Sequence, residues 1–305
     1  MKKPSFLASQ AFEKWVACCD IGPIGLAICT GLQFKLLTHN GEKIWERELG
    51  GSTSIGFFSE SGPKLIVGCW DGSVREFDFK GGLQRETTFT YPIYSISEAA
   101  PLSINSGNRR IESLIVCAGQ HVVALDSQWD EQWRFKMPFY IKSCDTGREG
   151  QLAVGSQAGP SGGALAQLDS HGECMWTRKF STNVLVSRYI DYQNEECVLF
   201  GTREGTWGIA AGSDGTELHS GKKMKGSVLC AEKIPRGFLI GGRDKTLRAF
   251  EVSQDRIKES WKHKFSDVVY CCSHRKIEDV NANLLVGTLD HQLHFFGDPS
   301  PKDAI

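Results

Sequence analysis

A chain of 305 residues with 40% hydrophobic and 23% charged side chains has the make-up of a folded, water-exposed protein, not a disordered or fibrous one. Its 35 basic and 36 acidic residues leave a formal charge of −1, which excludes nucleic-acid binding through a globally basic surface. The apolar runs are far too short for a membrane helix, and the run that follows Met1-Lys2-Lys3-Pro4 stops at Ser9, a poor signal peptide.

Eleven cysteines is an odd number, and Cys29, Cys69, Cys117, Cys197 and Cys230 sit inside apolar runs, where a thiol behaves as a small hydrophobe. That usage fits a reducing compartment better than a disulfide framework, so a cytoplasmic location is expected. There is no CxxC pair, and neither a structural metal nor a cofactor is expected.

In chain order, an apolar run ending near a glycine recurs. It reads Leu26 to Gly31, Leu65 to Gly68, Leu114 to Gly119, Leu152 to Gly155, Val198 to Gly201, Phe238 to Gly241 and Leu284 to Gly287. The spacing averages about 43 residues, within the range of propeller blades. After each glycine a polar turn leads into an alternating strand, as in Asp71-Gly72-Ser73-Val74-Arg75-Glu76-Phe77 and Asp244-Lys245-Thr246-Leu247-Arg248-Ala249-Phe250. A tryptophan-bearing strand often follows, at Trp45, Trp133, Trp176 and Trp261. A second marker precedes each apolar run, a strand carrying a small residue at Cys18, Gly56, Ser95, Ser143, Ser187, Cys230 and Cys271. Both markers count seven units of about four short strands, and no stretch holds a helical period.

The expected fold is therefore all-β: a closed seven-bladed propeller of four-stranded blades, in one domain over 1–305. The blades span about 12–297, a tail follows over 298–305, and segment 1–12 supplies the strand that closes the last blade and removes an open edge.

The blades resemble the WD-repeat and quinoprotein-like (PQQ-like) propellers over about residues 12 to 297. On the quinoprotein-like side the resemblance rests on Gly68 to Asp78 and on Leu168-Asp169 to Trp176. On the WD side it rests on Asp71, Asp244 and Asp290 as tight-turn aspartates. Gly-His dipeptides at blade starts and terminal Trp-Asp pairs are missing. Some quinoprotein dehydrogenases stack their cofactor on a vicinal disulfide, which draws attention to Cys18-Cys19 and Cys271-Cys272. The competing reading places both pairs in the small-residue register of an inner strand.

No catalytic constellation emerges. Asp20, Asp145, Glu232 and His274 are scattered over inner strands, and Lys222-Lys223-Met224-Lys225 reads as a solvated turn. Aromatic and charged residues in predicted turns of one face, Trp70, Tyr91, Phe139, Tyr140, Arg203, Arg243 and His291, have the make-up of an interaction hot spot. The glycine-rich turn Ser156 to Gly163 reads as a binding loop or an insertion. The expected function is a non-catalytic interaction scaffold for a protein or peptide partner, monomeric or within a hetero-complex, with no membrane or nucleic-acid partner. The alternative is a small-ligand-binding or metal-dependent hydrolytic propeller that uses the mouth of the central channel.

Overall fold

The computed structural model describes residues 1–99, 113–157, 162–253, 256–278 and 280–298, and among these every regular element is a β-strand. The strands form seven antiparallel four-stranded sheets, the blades of a seven-bladed β-propeller. Strand β1 (Ser5–Ala11) precedes the first blade. That blade is β2 (Val16–Gly22), β3 (Gly25–Thr30), β4 (Gln33–Leu37) and β5 (Lys43–Glu48). The second is β6 (Thr53–Phe58), β7 (Lys64–Cys69), β8 (Ser73–Asp78) and β9 (Leu83–Thr88). The third is β10 (Ile93–Ala99), β11 (Ser113–Ala118), β12 (His121–Leu125) and β13 (Glu131–Lys136). The fourth is β14 (Tyr140–Thr146), β15 (Leu152–Gln157), β16 (Gly163–Leu168) and β17 (Cys174–Phe180). The fifth is β18 (Val184–Tyr192), β19 (Glu195–Thr202), β20 (Trp207–Ala211) and β21 (Glu217–Ser220). The sixth is β22 (Val228–Ile234), β23 (Gly237–Gly242), β24 (Thr246–Ser253) and β25 (Arg256–Lys264). The seventh has β26 (Val269–His274), β27 (Ala282–Thr288) and β28 (Gln292–Gly297), and β1 is its fourth strand.

That last pairing is the ring-closing strand expected from the sequence. Ser5 lies opposite Gly297 and Ala11 opposite Gln292, while the terminal ammonium of Met1 is 2.9 Å from the Glu251 carboxylate. Burial explains the strand patterns. The second strand of a blade is covered on both faces over most of its length, so β3, β15 and β27 carry the apolar runs Leu26–Cys29, Leu152–Val154 and Leu284–Val286. The outer strands β9 and β13 alternate between exposed and half-buried residues.

Contact density divides the chain into two units, Met1–Cys69 with Arg75–Glu86 and Leu229–Ile305, and Trp70–Val74 with Thr87–Val228. In the first unit, apolar layers that include Phe296, Leu293 and Phe34 join sheets six to seven, seven to one and one to two. In the second, layers that include Val154 and Phe200 join sheets three to four and four to five.

Two packing rules repeat. The first seats a β-branched residue of one inner strand against a glycine of the preceding blade's second strand. A Cβ built on Gly155 or Gly201 would lie 3.1 Å or 2.4 Å from a methyl of Val184 or Val228 in the second unit. In the first unit, Cβ atoms on Gly241 and Gly287 would lie 2.5 Å and 2.9 Å from methyls of Val269 and Val16. The second rule concerns the outer-strand tryptophans. The indole N–H groups of Trp45, Trp133 and Trp176 donate to the carbonyls of Phe79, Ser170 and Gly212 in the following blade. Gly81, Gly172 and Gly215 leave room for the rings.

Register corrects both sequence markers. Cys18 pairs with Cys29 and Ser95 with Cys117, as Ser143 pairs with Gly155 and Cys271 with Gly287. Cys29 and Cys117 therefore hold the blade-packing position in blades one and three. Gly31 and Gly119 lie two residues further on, in turns with φ of 55° and 61°. Likewise Ile55 and Val186, not Gly56 and Ser187, pair with Gly68 and Gly201.

Candidate functional site

The inner strands share a feature that sequence spacing did not reveal. In β2, β6, β10, β14, β18 and β26 the register slips by one residue near the start, between Val16 and Cys18, Thr53 and Ile55, Ile93 and Ser95, Ile141 and Ser143, Val184 and Val186, and Val269 and Cys271. Each slip is a β-bulge whose extra residue leaves the ladder, a device that re-aims one side chain. In the second unit the freed residues are Tyr94, Lys142 and Leu185, all half-buried and each preceded by a fully buried residue.

Tyr94 and Lys142 organise a cluster there. The Lys142 ammonium lies 3.9 Å from the centre of the Tyr94 ring, a cation–π contact. Trp70 meets the same ring edge-on, with centroids 5.8 Å apart and planes at 60°. Tyr140, the first residue of β14, lies near enough to oppose ionisation of the Tyr94 hydroxyl. Trp70 and Tyr140 are 47% and 44% exposed, high values for large aromatic side chains.

Both are carried by segments with hydrogen-bonded backbone. Trp70 is carried by a turn in which the Asp71 carboxylate accepts hydrogen bonds from the Ser73 amide and hydroxyl, at 2.9 and 2.6 Å. Gly72 adopts φ of 90° and accepts the Phe89 amide; a Cβ there would strike the Phe89 carbonyl. Tyr140 follows Met137, which is buried and whose amide donates to the Gln120 carbonyl. Beside the cluster, Tyr91 (43% exposed) stacks on His121 with centroids 5.9 Å apart and planes at 28°.

Electrostatics single out Lys142. Burial lowers its pKa from the ordinary lysine value, and among the described residues it forms no ion pair. Burial, and then Tyr140, raise the pKa of the Tyr94 phenol. The arrangement is a cation desolvated against aromatic faces, suited to an anionic group attached to an apolar body.

Of the residues expected from sequence, Trp70 and Tyr140 join this cluster, and Tyr91 and half-buried Phe139 lie alongside in the chain. Arg203 is exposed in the β19–β20 turn, with its carbonyl accepting the Ser227 hydroxyl. Arg243 and His291 belong to the first unit, in the β23–β24 and β27–β28 turns. There Arg243 is close enough to Tyr270 to favour its ionised form against burial, and Tyr270, a bulge residue, packs edge-on against Trp15 at 4.6 Å. Tyr94, Lys142, Trp15 and Tyr270 were missed from sequence. The signal was the middle position of triplets such as Ile93-Tyr94-Ser95 and Ile141-Lys142-Ser143.

No protein-family model matches the chain, and no curated protein matches it in sequence.

The remaining candidates have structural partners. Asp20 accepts hydrogen bonds from the amides of Ile21 and Phe58 and from the Ser273 hydroxyl, tying three inner strands together. Asp145 accepts the Tyr189 amide and pairs with Arg188 at 3.0 Å. Among the described residues no group of three or more His, Cys, Asp or Glu side chains is placed to hold a metal ion. Cys18 and Cys271 share the position after the bulge, all eleven cysteines are free thiols, and the Cys19 and Cys271 sulfurs are 3.6 Å apart. In the basic run, Met224 is buried and Lys223 faces Glu204 at 3.8 Å. The turn Ser156 to Gly163 lies partly outside the described residues, and the tail from 299 wholly so. Among the described residues no helix is long and apolar enough to cross a membrane.

Proposed function

We propose that this propeller is a non-catalytic interaction scaffold that captures a protein or peptide partner on Trp70, Tyr94, Tyr140 and Lys142. The observation that carries this reading is the exposure of Trp70 and Tyr140 beside hydrogen-bonded turns. Aromatic anchors held rigid before binding lose little entropy on contact, and such residues dominate interface energies. The carboxylates that a hydrolytic channel would need at Asp20 and Asp145 are engaged in joining neighbouring strands. The stretches Gly68 to Asp78 and Leu168-Asp169 to Trp176 resemble the quinoprotein-like branch of propellers, and eleven free thiols favour a cytoplasmic setting.

The test is affinity capture with the wild-type chain beside a Trp70→Ala/Tyr140→Ala variant, followed by titration of each purified partner. Each lost anchor should cost about 2 kcal/mol, roughly thirtyfold in affinity, with an unchanged melting temperature. Equal binding by the folded variant would move the site elsewhere, and the channel mouth would then be screened with metals and metabolites by thermal shift.

A further inference from the structure

Building on this interaction reading, we infer that the captured segment is an acidic peptide, whose carboxylate pairs with Lys142 while an adjacent apolar side chain lies on Trp70 and Tyr140. Three observations converge. The bulges in β10 and β14 release Tyr94 and Lys142 from the ladder at corresponding positions of neighbouring blades. The ammonium lies on the Tyr94 ring at 3.9 Å, so one side of its hydration shell is replaced by an aromatic face. Among the described residues it forms no ion pair, although Lys35, Lys64, Arg134, Arg178 and Arg188 each have a carboxylate within 4 Å.

A cation kept half-desolvated, with no carboxylate within 4 Å among the described residues, is unfavourable in the free protein, and an incoming carboxylate relieves that state. A partner carboxylate has less water to displace here than at a fully hydrated surface lysine. The pairing is correspondingly stronger and more selective. The ring that shields Lys142 also contacts Trp70, so the anion-binding point and the apolar platform are one structure. This geometry selects a carboxylate with a large apolar residue beside it in sequence. A site built on one lysine and an aromatic platform differs from a nucleic-acid track, which neutralises several phosphates along a basic groove.

The experiment pans a phage-displayed library of random dodecapeptides against the immobilised full-length chain. Wild type, Trp70→Ala and Lys142→Glu are compared, each checked for folding by circular dichroism. The wild type should enrich peptides with Asp or Glu within two residues of an aromatic or large aliphatic residue. Lys142→Glu should lose that acidic preference and enrich Lys or Arg instead. For a synthetic peptide of the selected sequence, Lys142→Gln should weaken binding about tenfold or more, while Lys142→Arg largely restores it. If Lys142→Glu does not fold, the Gln and Arg pair decides. Trp70-dependent peptides without acidic enrichment, or the same set selected by Lys142→Glu, would overturn the acidic assignment and leave the interaction face standing. Failure to select any Trp70-dependent peptide would overturn the interaction face itself. Displacement of the acidic peptide by an equimolar oligouridylate would identify the site as one for phosphate backbones and sink the peptide assignment.

Discussion

Gly241 offers the sharpest test of how the blades are held together. A Cβ added there would lie 2.5 Å from Cγ1 of Val269, which is fully buried at the start of the next inner strand, and 2.7 Å from the Cys230 sulfur. The glycine's φ lies outside the left-handed region, so Gly241→Ala introduces volume without backbone strain. Overpacking of a core costs about 1–3 kcal/mol, against a gain of roughly 0.5–1 kcal/mol from replacing a strand glycine, so a net loss of about 1–2 kcal/mol is expected. Val269→Ala removes two buried carbons and leaves a void, at a cost of about 2–3 kcal/mol. If the two residues share one space, the added Cβ is accommodated once the valine methyls are gone. The double variant should then be little worse than Val269→Ala alone, a coupling of about 1–2 kcal/mol. Urea denaturation of the four proteins, read by tryptophan fluorescence with unchanged m-values, measures it. Additivity within about 0.5 kcal/mol would refute the argument that Val269 is what requires glycine at 241.

Deleting residues 1–12 removes the ladder between β1 and β28 and exposes the β28 edge. A loss of about 3–6 kcal/mol and a melting temperature lower by roughly 10 °C should follow, with concentration-dependent association of the open edge; an unchanged melting temperature refutes closure by β1. Asp20→Ala should cost about 1–3 kcal/mol by leaving the Phe58 amide without its acceptor, measured by urea midpoint at neutral pH. Burial pushes the Asp20 carboxyl above its ordinary value. Its protonated form is therefore the better-tolerated one in the folded state, and the contribution present below about pH 4 declines as pH rises through the raised value. The stability difference between wild type and Asp20→Asn should accordingly move in the variant's favour from pH 4 to 7. A constant difference, or one of opposite slope, would show that the hydrogen bonds outweigh burial.

The number of blades, their strand order and the closing strand were legible because they follow from burial. A strand covered on both faces carries an apolar run at its centre, and an outer strand alternates. Position within the blade was less legible, because one letter can serve two physical needs. Gly119 satisfies a left-handed turn against the Tyr91 side chain, while Gly155 makes room for Val184. Aligning on glycine merged the two needs and hid that Cys29 and Cys117 stand at the packing position. Gly56 shows the same exchange of volume, since a Cβ there would come within 2.7 Å of the Cys29 sulfur. The bulges were hidden for a different reason. A bulge is set by hydrogen-bond register between two strands, and the triplets that contain it have ordinary strand composition. Trp70 and Tyr140 were therefore visible as aromatic residues in turns, whereas Tyr94 and Lys142, which join them into a site, read as ordinary strand residues.

The exception to the tryptophan rule shows that it is a rule about shared space. Asp78, Asp126 and Asp169 each bind two amides of the turn before an outer strand. This fixes a left-handed residue at Gly81, Trp129 and Gly172, with φ of 79°, 68° and 83°. Gly81 and Gly172 lie against the indoles of Trp45 and Trp133, so a side chain there would meet both a ring and an unfavourable backbone conformation. The outer strand that precedes Trp129, β9, carries Arg85 where β5 and β13 carry tryptophan. At Trp129 the left-handed backbone costs a non-glycine residue about 1–2 kcal/mol. Trp129 occupies the position and lines a cleft of about 260 Å³ with Thr87, His121 and Arg134. Left-handed geometry alone therefore does not enforce glycine in these turns, and at Gly81 and Gly172 the indole adds to it.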